Sequence, residues 1–213
     1  MDRLQPDALG VYVVTSGTLV AGRTHLDVAL AAVRGGADAV QVRAPELSDE
    51  ELLPMAREVS RACAEASALC VVNDRVGVAA ELGCGAHVGQ DDDVGRARST
   101  LGPGPVLGVS VSNPVEARAA EAAGGDYLGV TVWATPTKPE AVAVGLGGLR
   151  AVVGSSTLPV VGIGGITVRN AVEVLVAGAA GVAVVSAVGW APDPEAATRE
   201  LVEVVHGWRA RTR

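Results

Sequence analysis

The sequence predicts an α/β fold of the (β/α)8, or TIM-barrel, class, and three observations carry that prediction. Short β-branched runs alternate with Ala-rich amphipathic stretches from end to end, which is the pattern of repeated strand-helix units rather than of a sandwich or a bundle. About eight such units fit into the 213 residues. Polar or glycine residues follow nearly every run, as expected when all strand ends face one common site.

Taken in chain order, the strands are expected at 11–15, 39–43, 69–73, 86–88, 106–110, 127–130, 159–162 and 182–186. The helices are expected at 24–35, 48–67, 75–83, 93–101, 114–124, 146–154, 167–178 and 193–210. Ser48 followed by Glu51 is a capping-box pattern, and Thr167 and Asp193 are candidate caps for the seventh and eighth helices. Gly35-Gly36, Gly83, Gly124-Gly125 and Gly178 fall where helices should end and turn toward the next strand. An open doubly wound sheet would gather its polar residues at one switch point. Here they are spread over Thr15, Gln41 and Arg43, Asn73 and Asp74, His87 and Gln90, Ser110, Gly162 to Gly165, and Ser186. That spread favours a closed barrel, and with no composition break the whole chain, 1–213, reads as a single domain.

Composition agrees. Hydrophobic residues make up 49% and aromatic residues only 2%, with 27 glycines, so the core is built from Val, Ala and Leu, as suits buried parallel strands. A net charge of −7 with a pI near 5.0 argues against a nucleic-acid partner, which needs clustered Lys and Arg. Cys63, Cys70 and Cys84 lie in or beside apolar segments without metal-ligand spacing and read as buried core thiols. No charged segment followed by an apolar one opens the chain, and no apolar run approaches the roughly 18 residues of a membrane helix. A cytoplasmic location with no membrane partner is therefore expected, and a homo-oligomer is compatible with the sequence.

Several segments carry chemistry. Val161-Gly162-Ile163-Gly164-Gly165-Ile166-Thr167 places a glycine-rich turn after the seventh strand, where bare amides can wrap an anion, with Val185-Ser186-Ala187 as its eighth-strand partner. A tight structural turn is the alternative. Thr135-Pro136-Thr137-Lys138 offers two hydroxyls and a compact cation after the sixth strand, stiffened by prolines at 136 and 139, and otherwise reads as a solvated loop. Asp74 follows the third strand and Asp92 lies beyond the fourth, in Gln90-Asp91-Asp92-Asp93. Two carboxylates on adjacent units suit magnesium, although each also fits a helix cap. His87 points toward the rim as a proton carrier or as a hydrogen-bonded structural residue. His25 and His206 carry no motif. Trp133 is a candidate wall for an aromatic ligand, whereas Trp190 and Trp208 suit the outside of the barrel or an interface.

Together these segments resemble thiamine-phosphate synthase. The resemblance runs through Gln41-Val42-Arg43, Val72-Asn73-Asp74, His87-Val88-Gly89-Gln90-Asp91-Asp92, Gly108-Val109-Ser110, Thr135-Pro136-Thr137-Lys138, Gly162-Ile163-Gly164-Gly165-Ile166 and Val185-Ser186. It implies a transferase that joins a pyrimidine diphosphate to a thiazole phosphate with Mg2+ as cofactor. Asp74 and Asp92 would then ligate the metal, while Gln41, Arg43, Asn73, Ser110 and Lys138 hold the pyrimidine diphosphate. Thr135, Thr137, Gly165, Val185 and Ser186 would hold the thiazole phosphate, with Pro136 between the two threonines among the substrate-binding positions. Arg43, Lys138 and Ser110 are the implied catalytic residues. The family's Gln-x-Arg-x-Lys pattern reads Gln41-Val42-Arg43-Ala44-Pro45 here, and Ser112 stands where a related thiazole tautomerase carries a histidine. The competing readings are therefore a non-catalytic binder of a phosphorylated ligand and, behind it, that tautomerase.

Overall fold

Parallel strands cannot be joined by two-residue turns, so each return to the sheet needs a crossover long enough to hold a helix. The computed structural model describes residues 4–15, 20, 22–135, 137–139 and 141–212. Strand and helix alternate through it: β1 Val11–Val14, α1 His25–Arg34, β2 Ala39–Val42, α2 Asp49–Glu65, β3 Leu69–Asn73, α3 Val76–Leu82, β4 Gly85–Val88, α4 Val94–Leu101, β5 Leu107–Ser110 and α5 Pro114–Ala122. Then come β6 Tyr127–Thr131, α6 Gly145–Val153, β7 Val160–Ile163, α7 Ala171–Val176, β8 Gly181–Val184, α8 Ser186–Gly189 and α9 Pro194–Thr212. Each strand pairs in parallel with its sequence neighbour, and β8 returns to pair with β1, so the sheet is a closed barrel. The fold is the expected (β/α)8 barrel.

Local chemistry explains the helix starts. Ser48 accepts the Glu51 amide while Glu51 returns to the Ser48 amide, the reciprocal box read from the sequence. Asp193 accepts the Ala196 amide at the start of the last helix. Thr167 stands one turn ahead of the seventh helix rather than directly at its start. Its hydroxyl accepts the Arg169 amide at 3.3 Å and its own amide donates to Asn170 Oδ1 at 2.8 Å, so it caps a turn over 167–170 that leads into α7, which begins at Ala171. The four-residue α8, unannounced by any periodicity, follows β8 and begins with Ser186. Arg23 donates to the carbonyls of Gly189 and Ala191 at 3.0 and 2.7 Å, tying the loop before α1 to the end of α8.

Alternation along each strand separates two apolar layers. Val11, Val13, Val40, Val42, Val72 and Val130 face the helices, in a layer that also takes in the free, buried Cys63, Cys70 and Cys84. Trp208 packs against the same layer, and Trp190 is 40% exposed. Leu9, Tyr12, Val14, Ala39, Val71, Tyr127, Val161 and Ala183 fill the barrel itself. No helix among the described residues is long and apolar enough to cross a membrane.

The β1/β8 seam is the tightest point. A Cβ on Gly181 would collide with the Leu9 carbonyl and crowd that of Gly10, and no rotamer relieves a clash with backbone. Gly181→Ala is expected to destabilise the fold by about 3 kcal/mol, the upper end of overpacking costs. Gly104→Ala, with nothing within 4 Å of its Cβ, should stay within about 0.5 kcal/mol of the parent. Urea unfolding of the pair checks this; equal midpoints would show that the seam is not close-packed.

Candidate active site

The period of two that buries the lower barrel turns polar groups inward near its C-terminal end. Gln41, Arg43, Asn73, His87 and Ser110 line one cavity there with Tyr12 and Tyr127. Thr135, Thr137, Lys138, Gly165, Val185 and Ser186 complete it from the loops after β6, β7 and β8. The space these residues enclose, with the open solvent at its mouth, is about 950 Å³. Ten of the residues singled out as substrate-binding thus share a wall, and Pro136 lies outside the described residues.

The floor of the cavity is a continuous hydrogen-bonded chain. Gln41 Nε2 donates to the Tyr12 hydroxyl at 2.8 Å, and the Tyr12 and Tyr127 hydroxyls meet at 2.8 Å. Tyr127 meets His87 Nδ1 at 2.9 Å, and His87 Nε2 meets Ser110 Oγ at 3.0 Å. Two glycines make room for this. A Cβ on Gly108 would collide with the Tyr127 ring and His87 Nδ1, and one on Gly129 would sit 3.0 Å from His87 Cε1. Burial raises both phenols above their ordinary range, so they remain hydroxyls. Burial, assisted by the Lys138 charge, pushes His87 down to about 4. Its imidazole is neutral at pH 7.

Arg43 is held through its backbone. The Thr15 hydroxyl accepts the Arg43 amide at 2.8 Å and donates to the Arg43 carbonyl at 3.2 Å. The guanidinium is left to the cavity. In the loop after β6, the Thr135 and Thr137 hydroxyls lie 3.0 Å apart. The glycine turn after β7 has Gly164 at φ +89 and Gly165 at φ +63, left-handed conformations that favour glycine. A Cβ at Gly164 would collide with the Trp133 carbonyl. That contact corrects the reading of Trp133 as a ligand wall, because the loop folds onto the glycine turn and the tryptophan packs against the outer apolar layer.

Asp74 and Asp92 stand outside the cavity wall, on the loops after β3 and β4. Asp74 takes φ +59, unusual for a residue with a side chain. Its carboxylate does not cap α3, whose start at Arg75 has no side-chain cap. Burial raises the Asp74 carboxyl, and the Asp92 charge raises it further, opposed by Arg43 and Lys138. Loops after β2, β3, β4 and β6 therefore bring two carboxylates and two cations into one field. Asp93, not Asp92, caps α4, while Asp92 accepts the Gly89 amide at 2.6 Å. Such a carboxylate pair suits a hard divalent cation, which prefers one or two carboxylates supplemented by substrate phosphates. Ser112, by contrast, is spent on Glu116 at the start of α5.

Sequence reasoning missed Tyr12, Tyr127 and Gly129, and it named Thr15 and Gly108 without the parts they play here. One signal for the tyrosines was available: they are the chain's only two, in a sequence without phenylalanine, with Tyr12 inside a Val-rich strand and Tyr127 opening β6.

Residues 11–188 match the family model described as thiamine monophosphate synthase. The thiamine-phosphate synthase of Natronomonas pharaonis is 45% identical over 204 residues, 93% of this chain and 95% of that one. The thiamine-phosphate synthase of Moorella thermoacetica is 45% identical over 199 residues, covering 92% and 95%. Among solved structures, the thiamine phosphate pyrophosphorylase from Pyrococcus furiosus superposes with a TM-score of 0.87 at 36% identity, over 95% of this chain and 98% of that one. Identity at this level over nearly the full length, on a barrel whose predicted site residues converge, means that the chain belongs to the thiamine-phosphate synthase family of enzymes.

Proposed function

We propose that the chain joins 4-amino-2-methyl-5-(diphosphooxymethyl)pyrimidine to a thiazole phosphate, giving thiamine phosphate and pyrophosphate by a dissociative substitution. The observation that carries this reading is one cavity lined by Arg43 and Lys138 together with Gln41, Asn73, Ser110 and the loops after β6, β7 and β8, with Asp74 close enough to feel the charges of Arg43, Lys138 and Asp92. The bond from the pyrimidine methylene carbon to the diphosphate oxygen breaks, and its electron pair leaves with pyrophosphate. The resulting electron-rich cation is captured by the thiazole nitrogen, whose lone pair forms the new carbon–nitrogen bond.

The chain's own part is positioning and charge stabilisation. Arg43 and Lys138 neutralise the departing diphosphate, with Ser110 donating a hydrogen bond to it, while Gln41 and Asn73 orient the pyrimidine. Thr135, Thr137, Gly165, Val185 and Ser186 hold the thiazole phosphate beside it. Magnesium, held by Asp74 and Asp92 when bound, supplies further neutralisation of the diphosphate. No protein nucleophile or general base is required, which accords with burial and the Lys138 charge making His87 a weak base.

Purified protein given both substrates and magnesium should release pyrophosphate. Arg43→Ala and Lys138→Ala are each expected to lower kcat by roughly 10²-fold or more, the scale of losing one preorganised electrostatic contact; an unchanged rate in both removes the mechanism. Asp74→Asn and Asp92→Asn should raise the magnesium concentration for half-maximal rate by about tenfold or more. Identical magnesium titrations would exclude the two as ligands.

One observation favours a second reading. Pro45 is exposed at the rim where the family pattern has a lysine, as in a binder that has lost turnover. Such a protein would bind phosphorylated ligand without releasing pyrophosphate, and Pro45→Lys would restore release. Turnover by the unmodified chain excludes it.

A further inference from the structure

The hydrogen-bonded floor holds the chain's only two tyrosines, and neither has a part in the reaction proposed above. We propose that its bonds all run one way, from Gln41 through Tyr12, Tyr127 and His87 to Ser110. Tyr127 is then a positioning residue that fixes His87 as its Nε2–H tautomer and leaves the Ser110 hydroxyl hydrogen to point at the substrate. The direction follows from the floor alone; that the hydrogen meets the diphosphate rests on the proposed reaction.

The direction is a matter of counting hydrogens. Gln41 presents its amide nitrogen to Tyr12, so Tyr12 accepts there and must place its own hydrogen elsewhere. Among the described residues its hydroxyl meets only one other group, Tyr127. Tyr12 is 2% exposed, and a buried hydroxyl hydrogen without an acceptor is unfavourable. Tyr12 therefore donates to Tyr127, Tyr127 donates to His87 Nδ1, and a neutral ring keeps its one hydrogen on Nε2, aimed at Ser110 Oγ. Ser110, already accepting, has no call on its own hydrogen within the floor, and it lines the cavity. Run the other way, the chain would have Ser110 donate to the ring and Tyr127 donate to Tyr12. Tyr12 would then accept twice and bury an unpaired hydrogen.

The glycines support a built device rather than a chance contact. Neighbouring strands place Asn73 beside His87, His87 beside Gly108, and Gly108 beside Tyr127. Only a residue without a Cβ at 108 lets the imidazole and the phenol approach each other across β5, since a Cβ there would strike both.

The test reads the tautomer directly. In protein labelled with 15N-histidine, long-range proton–nitrogen correlation reports which ring nitrogen of His87 is bare, its signals identified by their loss in His87→Asn. The ligand-free protein is expected to show Nδ1 bare and Nε2 protonated. In Tyr127→Phe, which keeps the ring but removes the donor, the second tautomer should become populated. Its kcat should fall on the order of tenfold, less than for removal of a donor outright, with KM changed less than about twofold because the bond matters most as charge develops on the leaving group. An Nδ1–H tautomer in the unmodified protein overturns the proposal whatever the activity. The expected tautomer with an unaltered kcat in Tyr127→Phe also overturns it, by cutting the floor off from the chemistry. A protein with no transferase activity in any form refutes the reaction instead, and the tautomer still decides the direction of the floor.

Discussion

Closure of the sheet between β1 and β8 dictates where every functional group of this protein stands. Once eight parallel strands form a ring, residues of one parity face the interior around the whole circumference. From β2 onward these are Ala39, Gln41 and Arg43, then Val71 and Asn73, then His87, Ser110, Tyr127, Gly129, Val161, Ile163, Ala183 and Val185. Along β2 and β3 the inward series passes from apolar to polar, whereas β7 and β8 present Val161, Ile163, Ala183 and Val185 and leave the polar work on their side to the loops that follow. The seam that makes this possible is narrow. Gly181 admits the Leu9 carbonyl, and Arg209 on α9 donates to the carbonyls of Pro6, Asp7 and Ala180 across the bottom of it.

Within that ring the sequence separates neutral from charged chemistry by depth. Ionised groups at the centre of the barrel would lose their hydration for little return. Accordingly the floor consists of an amide, two phenols, an imidazole and a serine hydroxyl, each meeting its neighbour at 2.8 to 3.0 Å. The charged groups sit higher. Lys138 is exposed and Arg43 half-buried, on loops that remain in contact with water until a ligand covers them. The two levels still interact, since the Lys138 charge helps to keep the His87 ring neutral, so the cationic mouth reinforces the neutrality of the floor.

Much of this was legible in the sequence, for identifiable reasons. Buried parallel strands leave Val-rich runs, crossover helices leave amphipathic ones, and a common site leaves polar residues after strand after strand, so class, element order and most wall residues could be read. What escaped were features without a period. Tyr12 and Tyr127 sit inside apolar strands, where an aromatic residue reads as core filler; that their hydroxyls meet across the barrel, 115 residues apart in the chain, is a product of closure. Trp133 was misplaced because side-chain direction on a loop follows no repeat. Thr167 and Asn170 bond to each other across a turn that precedes α7, and a local pairing of that kind shifts a helix start without altering the apolar pattern. The short α8 has too few residues to show amphipathicity at all.

The balance of charge at the mouth bears on the proposed chemistry in one further way. Arg43 and Lys138 contribute two positive charges there and Asp74 and Asp92 two negative ones, which cancel. Glu46, within the field of Arg43 and bonded to His25 at 2.5 Å, adds another carboxylate nearby. With proline rather than lysine at position 45, no further cation offsets these carboxylates from that position. Like charges in a shared site also raise the cost of ionising Asp74. A divalent cation between the two carboxylates would relieve their repulsion and turn the field toward an anionic substrate at the same time. On this reading the aspartates are not a flaw in an anion site. In the proposed reaction they would make affinity for the diphosphate conditional on a divalent cation, the more so with proline at position 45.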